Sequence, residues 1–185
     1  MIQDVLKESE VKMKGAIRAL EEHLGTVRTG RASPALVEKL MVEYYGTPTP
    51  LYQVATINVP EPMLITIKPF DKTATKAIEK AIQTSDLHLM PNSDGQVIRL
   101  ALPMLTIERR KELVKVVHSR VEEAKIALRN IRRNSIEDLR ELQKEKLISE
   151  DDERQGQEQV GKLTERYTDQ IEAIGKHKED EVMAV

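Results

Sequence analysis

Cysteine and tryptophan are absent from this 185-residue chain, and its aromatic side chains amount to four tyrosines and a single phenylalanine, Phe70. Without cysteine there is no disulfide, no thiolate nucleophile and no Cys-ligated metal, a composition that fits a reducing compartment. Also lacking are a positively charged start leading into an apolar run and any stretch of membrane-spanning length. A cytoplasmic protein with no membrane partner is the expectation. The sequence contains no Walker loop, no G-x-G-x-x-G and no G-x-S-x-G. His23, His88, His118 and His177 are scattered without ligand spacing and read as surface or half-buried residues. The acids at 150 to 153 lack the alternating ligands and closing Glu of a Ca²⁺ loop, so they read as a helix N-terminus. No catalytic residue, cofactor or metal is expected, and the chain is not read as an enzyme.

Proline is present, but confined. All eight prolines lie between Pro34 and Pro103, and proline disrupts helix interiors by removing an N–H and clashing with the preceding turn. The flanks are therefore free to form long helices. Val5, Met13, Ile17, Leu20, Leu24 and Val27 mark one helical face near the N-terminus. After Pro103, Thr106 opens a capped start. Leu113, Val117, Val121, Ala124, Leu128, Ile131 and Leu139 then fall within ~80° of arc at about 100° per residue. That helix is expected to reach about Lys146, a length of roughly 60 Å. Ser149-Glu150-Asp151-Asp152 begins another helix, with Val160, Leu163, Tyr167, Ile171 and Ile174 as its stripe and a first part weakened by Gly156 and Gly161.

Stripes of this kind bury one another in a bundle. The reading is an α+β two-domain protein: a long three-helix bundle, residues 1–30 and 105–185, with a small β/α/β domain, residues 31–104, inserted into it. In the insertion, Met41–Tyr45, Val54–Val59, Leu64–Lys68 and Val97–Leu102 read as strands and Thr73–Thr84 as a short helix. Gly46 to Pro50 and Pro91 to Gly95 read as turns. Tyr44 and Tyr45 could stack on bases, but neighbours in a strand point to opposite faces, which puts one of them in the core. The chain crosses between the domains twice, at Gly30, Arg31, Ala32 and Ser33 and again at Pro103, Met104 and Leu105. Two short connections of this kind suit a hinge.

The formal net charge of −2 hides strong segregation. Residues 109–133 hold nine Lys or Arg against three Glu, and residues 134–158 hold nine Asp or Glu against four Lys or Arg. Lys125, Arg129, Arg132, Arg133 and Arg140 span an arc of about 100°, centred roughly 120° from the apolar stripe. Arg28 and Arg31 follow the first helix. One reading is an ordinary solvated helix face. The other is a phosphate-binding face, favoured by the preponderance of Arg over Lys and by the few acidic i,i+4 partners.

Several segments carry a resemblance in order along the chain: Val27-Arg28-Thr29-Gly30-Arg31-Ala32-Ser33-Pro34, Val42-Glu43-Tyr44-Tyr45-Gly46-Thr47-Pro48-Thr49-Pro50 and Pro91-Asn92-Ser93. Glu108-Arg109-Arg110-Lys111, Arg129-Asn130-Ile131-Arg132-Arg133 and Ile148-Ser149-Glu150-Asp151-Asp152 continue it. Together they strongly resemble the bacterial ribosome recycling factor family over essentially the whole chain. The resemblance implies a monomer that enters the ribosome after termination. With elongation factor G and GTP it splits the complex into subunits and releases mRNA and deacylated tRNA, with GTP hydrolysis belonging to the partner. It further implies that the bundle docks on large-subunit rRNA through Arg28, Arg31, Arg110, Arg129, Arg132 and Arg133, with Arg132 the critical contact, while the small domain swings toward the factor. At His118-Ser119 the chain departs from more basic relatives, so the surface is not extended there. Two other classes fit the residues alone: a regulator binding structured RNA outside the ribosome through the same arginines, and a helical scaffold for partner helices.

Overall fold

The computed structural model describes residues 1–184. In chain order the elements are α1 (Ile2–Gly25), β1 (Met41–Tyr44), β2 (Thr47–Pro50), the single turn α2 (Leu51–Val54), β3 (Ala55–Glu61), β4 (Leu64–Pro69), α3 (Thr75–Gln83), β5 (Pro91–Ser93), β6 (Ile98–Ala101), α4 (Ile107–Lys144) and α5 (Glu150–Met183). The chain divides into two compact units. One is Met1–Leu24 with Val114–Asp180; the other is Gly25–Leu113 with the residues from Glu181 on.

In the first unit the long helices bury recurring faces: Ser9, Met13, Leu20 and Leu24 on α1, Val117, Ala124, Leu128, Ser135 and Leu139 on α4, and Val160, Thr164, Tyr167 and Ile171 on α5. The gaps are four and seven residues on α1 and α4 and four and three on α5, close to the natural 3.6-residue repeat, so each face stays in register along its helix. Contacts fix the directions. Ser9 on α1 meets Ser135 on α4, while His118, Lys125 and Val121 of α4 meet Glu179, Glu172 and Gly175 of α5, so α4 and α5 run antiparallel. Ile2 lies near Gly156 and Glu10 bonds Tyr167, so α1 and α5 run parallel. Ser9 and Ser135 were invisible to an apolar-stripe reading. Their hydroxyls lie 2.5 Å apart, with the Val5 and Ile131 carbonyls as further acceptors, and so satisfy each other inside the core.

The α4–α5 corner is built from local chemistry. Lys146 adopts φ 60°, and the N–H groups of Lys146 and Leu147 donate to the carbonyls of Gln143 (2.8 Å) and Leu142 (2.9 Å), a Schellman closure. Ser149 and Asp152 then exchange reciprocal bonds of 3.1 Å, a capping box that holds the Asp152 carboxyl below its usual range. Gly156 and Gly161 do not break α5, which is helical throughout. Gly156 is buried where a Cβ would stand 3.0 Å from Leu139 Cδ1, and at Gly175 a Cβ would stand 2.5 Å from Val121 Cγ2. Gly161 has nothing within 4 Å. The two sites therefore predict opposite signs. Gly161→Ala should gain up to about 1 kcal/mol from helix propensity alone. Gly175→Ala should lose about 1–2 kcal/mol net, because overpacking α4 against α5 outweighs that gain. Urea midpoints of the two variants test the contrast.

In the second unit β3–β4–β6–β5 form an antiparallel sheet. Ile65 and Ile67 of β4 sit opposite Leu100 and Ile98 of β6, and this buried face joins Ile78 and Ile82 of α3 and Leu51 in one core. The segments expected to be turns at Thr47–Pro50 and Pro91–Ser93 are strands. Pro48 and Pro50 are two apart in the hairpin with β1, so both take the site whose N–H faces away from the partner strand. β5 starts with Pro91 at the sheet edge, where a missing N–H costs no ladder bond. Asp94 closes the β5–β6 turn by accepting from Gln96 N and Val97 N (2.9 Å each) and from Arg99; the backbone bonds chiefly hold its pKa down at about 2.

The division between the units falls at the end of α1 and inside α4. Two arginines act within the second unit. Arg28 donates to the Pro103 carbonyl, tying the two crossing segments to each other. Arg110 donates to the carbonyls of Val182 (3.0 Å), Ala184 and Leu105 (3.5 Å), tying the start of α4 and the end of α5 to the second crossing segment.

Candidate nucleic-acid interface

On α4, Arg129, Arg132, Arg133 and Arg140 line a shallow depression of about 330 Å³, together with Ile136 and Glu137. All four guanidinium-bearing residues are exposed. Arg129 pairs with Glu122 at 2.7 Å, seven residues back, a partner that i,i+4 counting overlooked. Lys125, half-buried, pairs with Glu172 of α5 at 2.8 Å. Among the described residues Arg132, Arg133 and Arg140 form no ion pair. Exposed pairs such as Arg129–Glu122 contribute no more than about 1 kcal/mol, so a phosphate can displace the glutamate. The depression thus offers several planar, permanently charged donors beside one apolar side chain, Ile136. Planar forks suit bidentate contact with phosphate oxygens, and the long helix fixes the spacing of the positions that carry them.

The other expected arginines belong to the second unit. Arg31 is exposed, with its N–H donating to Thr29 Oγ1 at 3.3 Å. Arg28 is half-buried; its Nε is enclosed without a partner, and burial, with Arg109 and Arg110 nearby, pushes its pKa down. Arg110 is a correction. It is only 8 % exposed, and its guanidinium is spent on main-chain carbonyls, so it is no surface arginine. Arg140, inside the basic arc but not in the expected set, lines the depression with the others. The arc itself was the signal for it. Of the segments read as a hinge, Ala32 N donates to the Pro62 carbonyl at 2.6 Å, Ser33 caps the turn that starts at Pro34, and Met104 is exposed. Among the described residues no group of three His, Asp or Glu is placed to hold a metal, and no helix is long and apolar enough to cross a membrane.

A family model described as ribosome recycling factor matches residues 20–183. The chain belongs to the ribosome recycling factor family. It is 58 % identical over 185 residues to the ribosome-recycling factor of Roseiflexus sp. (strain RS-1) and 58 % identical over the same length to that of Chloroflexus aurantiacus, with full coverage of both partners. Among solved structures it resembles a solution structure of the ribosome recycling factor, with TM-score 0.77 and 44 % identity over 100 % of this chain and 98 % of that one. It also resembles a T. thermophilus ribosome recycling factor placed with E. coli elongation factor G on the E. coli post-termination complex, with TM-score 0.67, 38 % identity and full coverage of both chains. The helical-plus-sheet architecture expected from the proline pattern is the architecture of this family.

Proposed function

We propose that the chain is a cytoplasmic ribosome recycling factor. With elongation factor G and GTP it splits the post-termination complex into subunits and frees mRNA and deacylated tRNA. It does so as a monomeric binding factor without chemistry of its own, and nucleotide hydrolysis belongs to the partner. The helical part, residues 1–30 and 105–185, docks on large-subunit rRNA. Residues 31–104 reorient about Gly30–Ser33 and Pro103–Leu105.

The observation that carries this reading is the row of exposed arginines Arg129, Arg132, Arg133 and Arg140 on one helix of a chain that matches its relatives along their whole length. In the second unit Arg28 and Arg31 are further rRNA contacts in this reading, and Arg110 holds the start of α4 and the end of α5 through its carbonyl bonds. No observation favours a regulator of non-ribosomal RNA.

Co-sedimentation with vacant ribosomes across a salt series, followed by a splitting assay with elongation factor G and GTP, tests the proposal. Binding should be ribosome-specific and weaken steeply with salt, because displaced counterions drive it. Equal binding to any structured RNA, or salt-insensitive binding to protein, would overturn it.

A further inference from the structure

One residue on the basic face of α4 has the opposite sign. Glu137 lines the arginine depression, with Arg133 four residues before it and Arg140 three after. Those spacings make side chains neighbours on a helix surface. Nearer the start of α4 such neighbours pair: Arg109 meets Glu112 at 2.8 Å and Arg120 meets Glu123 at 3.0 Å. Glu137 is exposed and forms no ion pair among the described residues. Beside it lies Ile136, half-buried and the one apolar lining residue. At about 100° per residue the lining side chains share ~140° of arc, with Ile136 near its middle.

A carboxylate is out of place against a phosphate backbone, since it repels the charges that the arginines attract. A face that only neutralised phosphate would bind more tightly without it. Ionised, Glu137 is acceptor-only and can take two parallel N–H donors, as carboxylates do from a guanidinium fork. Phosphate oxygens donate nothing, so within RNA its match is a base edge. The Watson–Crick edge of guanine presents two donors side by side, N1–H and the N2 amino group. In a regular A-form duplex that edge is paired, and the deep, narrow major groove keeps side chains out. The edge is open only on an unpaired base splayed out of the stack.

We infer that Glu137 reads an unpaired guanine of the bound RNA, with Ile136 against the base and Arg133 and Arg140 on the phosphates that flank it. All four residues line the same depression. The guanine contact rests on the proposed function and adds to it what the arginine face recognises besides phosphate. Phosphate contacts position a protein without carrying sequence information, whereas a carboxylate on a base edge selects the nucleotide. Glu137 is thus a specificity-determining residue within a face whose affinity comes from its arginines.

The test is the full chain carrying Glu137→Gln, with vacant ribosomes as the probe. Gln keeps the shape and the helix propensity at an exposed site, so the melting temperature should not move. Affinity should fall by about fivefold or more, with an unchanged salt slope because no phosphate contact is lost. A 1,2-dicarbonyl reagent, which attacks guanine N1 and N2, gives the second readout. With both forms at saturation, one rRNA guanine should be protected under the parent and reactive under the variant. Parental or tighter affinity overturns the inference, as does identical guanine protection by the two forms or none by the parent. A loss of affinity with a shallower slope would make Glu137 a prop for the arginines and overturns it equally. Arg132→Ala measured alongside separates the two levels. If it binds weakly while Glu137→Gln binds as the parent does, only the guanine contact falls. A parent chain that does not bind ribosomes overturns the functional reading itself.

Discussion

Arg132→Ala is expected to leave the melting temperature nearly unchanged and to weaken ribosome binding ten- to a hundredfold. The first half follows from placement. Arg132 is exposed on α4, lines the arginine depression and forms no ion pair among the described residues. Substitutions at such sites change stability by about 0.5 kcal/mol or less. The second half follows from what a guanidinium does against a phosphate. Charge-assisted hydrogen bonds contribute roughly 1.5–3 kcal/mol, and every 1.4 kcal/mol or so is tenfold in affinity. Arg129 cannot fill the gap without giving up Glu122, and Arg133 lies about 100° further round the helix.

Two controls sharpen the result. Arg132→Lys should recover only part of the loss, since a point charge does not reproduce the planar fork. The slope of log affinity against log salt should become shallower by about 0.9 for each phosphate contact removed. A folded Arg132→Ala protein with parental affinity would mean that the RNA lies against another face.

What the sequence disclosed and what it hid divide along physical lines. Long-range patterns were legible: proline confinement marked the insertion, apolar spacing marked α1, α4 and α5, and the arginine arc marked the exposed face. Each depends only on helix geometry and on what proline forbids. Features that depend on which atoms meet across elements were not legible. Ser9 and Ser135 are core residues because one hydroxyl donates to the other, which in turn can donate to a main-chain carbonyl of its own helix. Gly156 is a packing site against Leu139 rather than a weak point, since the missing Cβ lets two helices approach. Pro48 and Pro50 look like turn residues until the register with β1 puts both N-less positions on the open side. The Tyr45 hydroxyl meets Asp71, 26 positions away in the chain, a contact that no local pattern announces.

Arg110 entered the expected RNA-facing set through the family resemblance alone, and its replacement separates a structural arginine from an RNA-facing one. Glu108-Arg109-Arg110-Lys111 lies in the first turns of α4. In the fold, Arg109 turns outward to Glu112 at 2.8 Å, while Arg110 turns inward to the carbonyls at the end of α5 and to Leu105. The last carbonyls of a helix have no intrahelical donors, so Arg110 serves as their cap from another element. Arg110→Ala should therefore destabilise the protein by about 1.5–3 kcal/mol through lost hydrogen bonds to a charged group. At this chain length that is about 2–4 °C in Tm per kcal/mol, and it should be seen with no ribosome present. Any fall in ribosome affinity should come without a change in salt slope, because no phosphate contact is lost. The opposite pattern, an unchanged Tm with a shallower slope, would return Arg110 to the RNA-contacting surface beside Arg132.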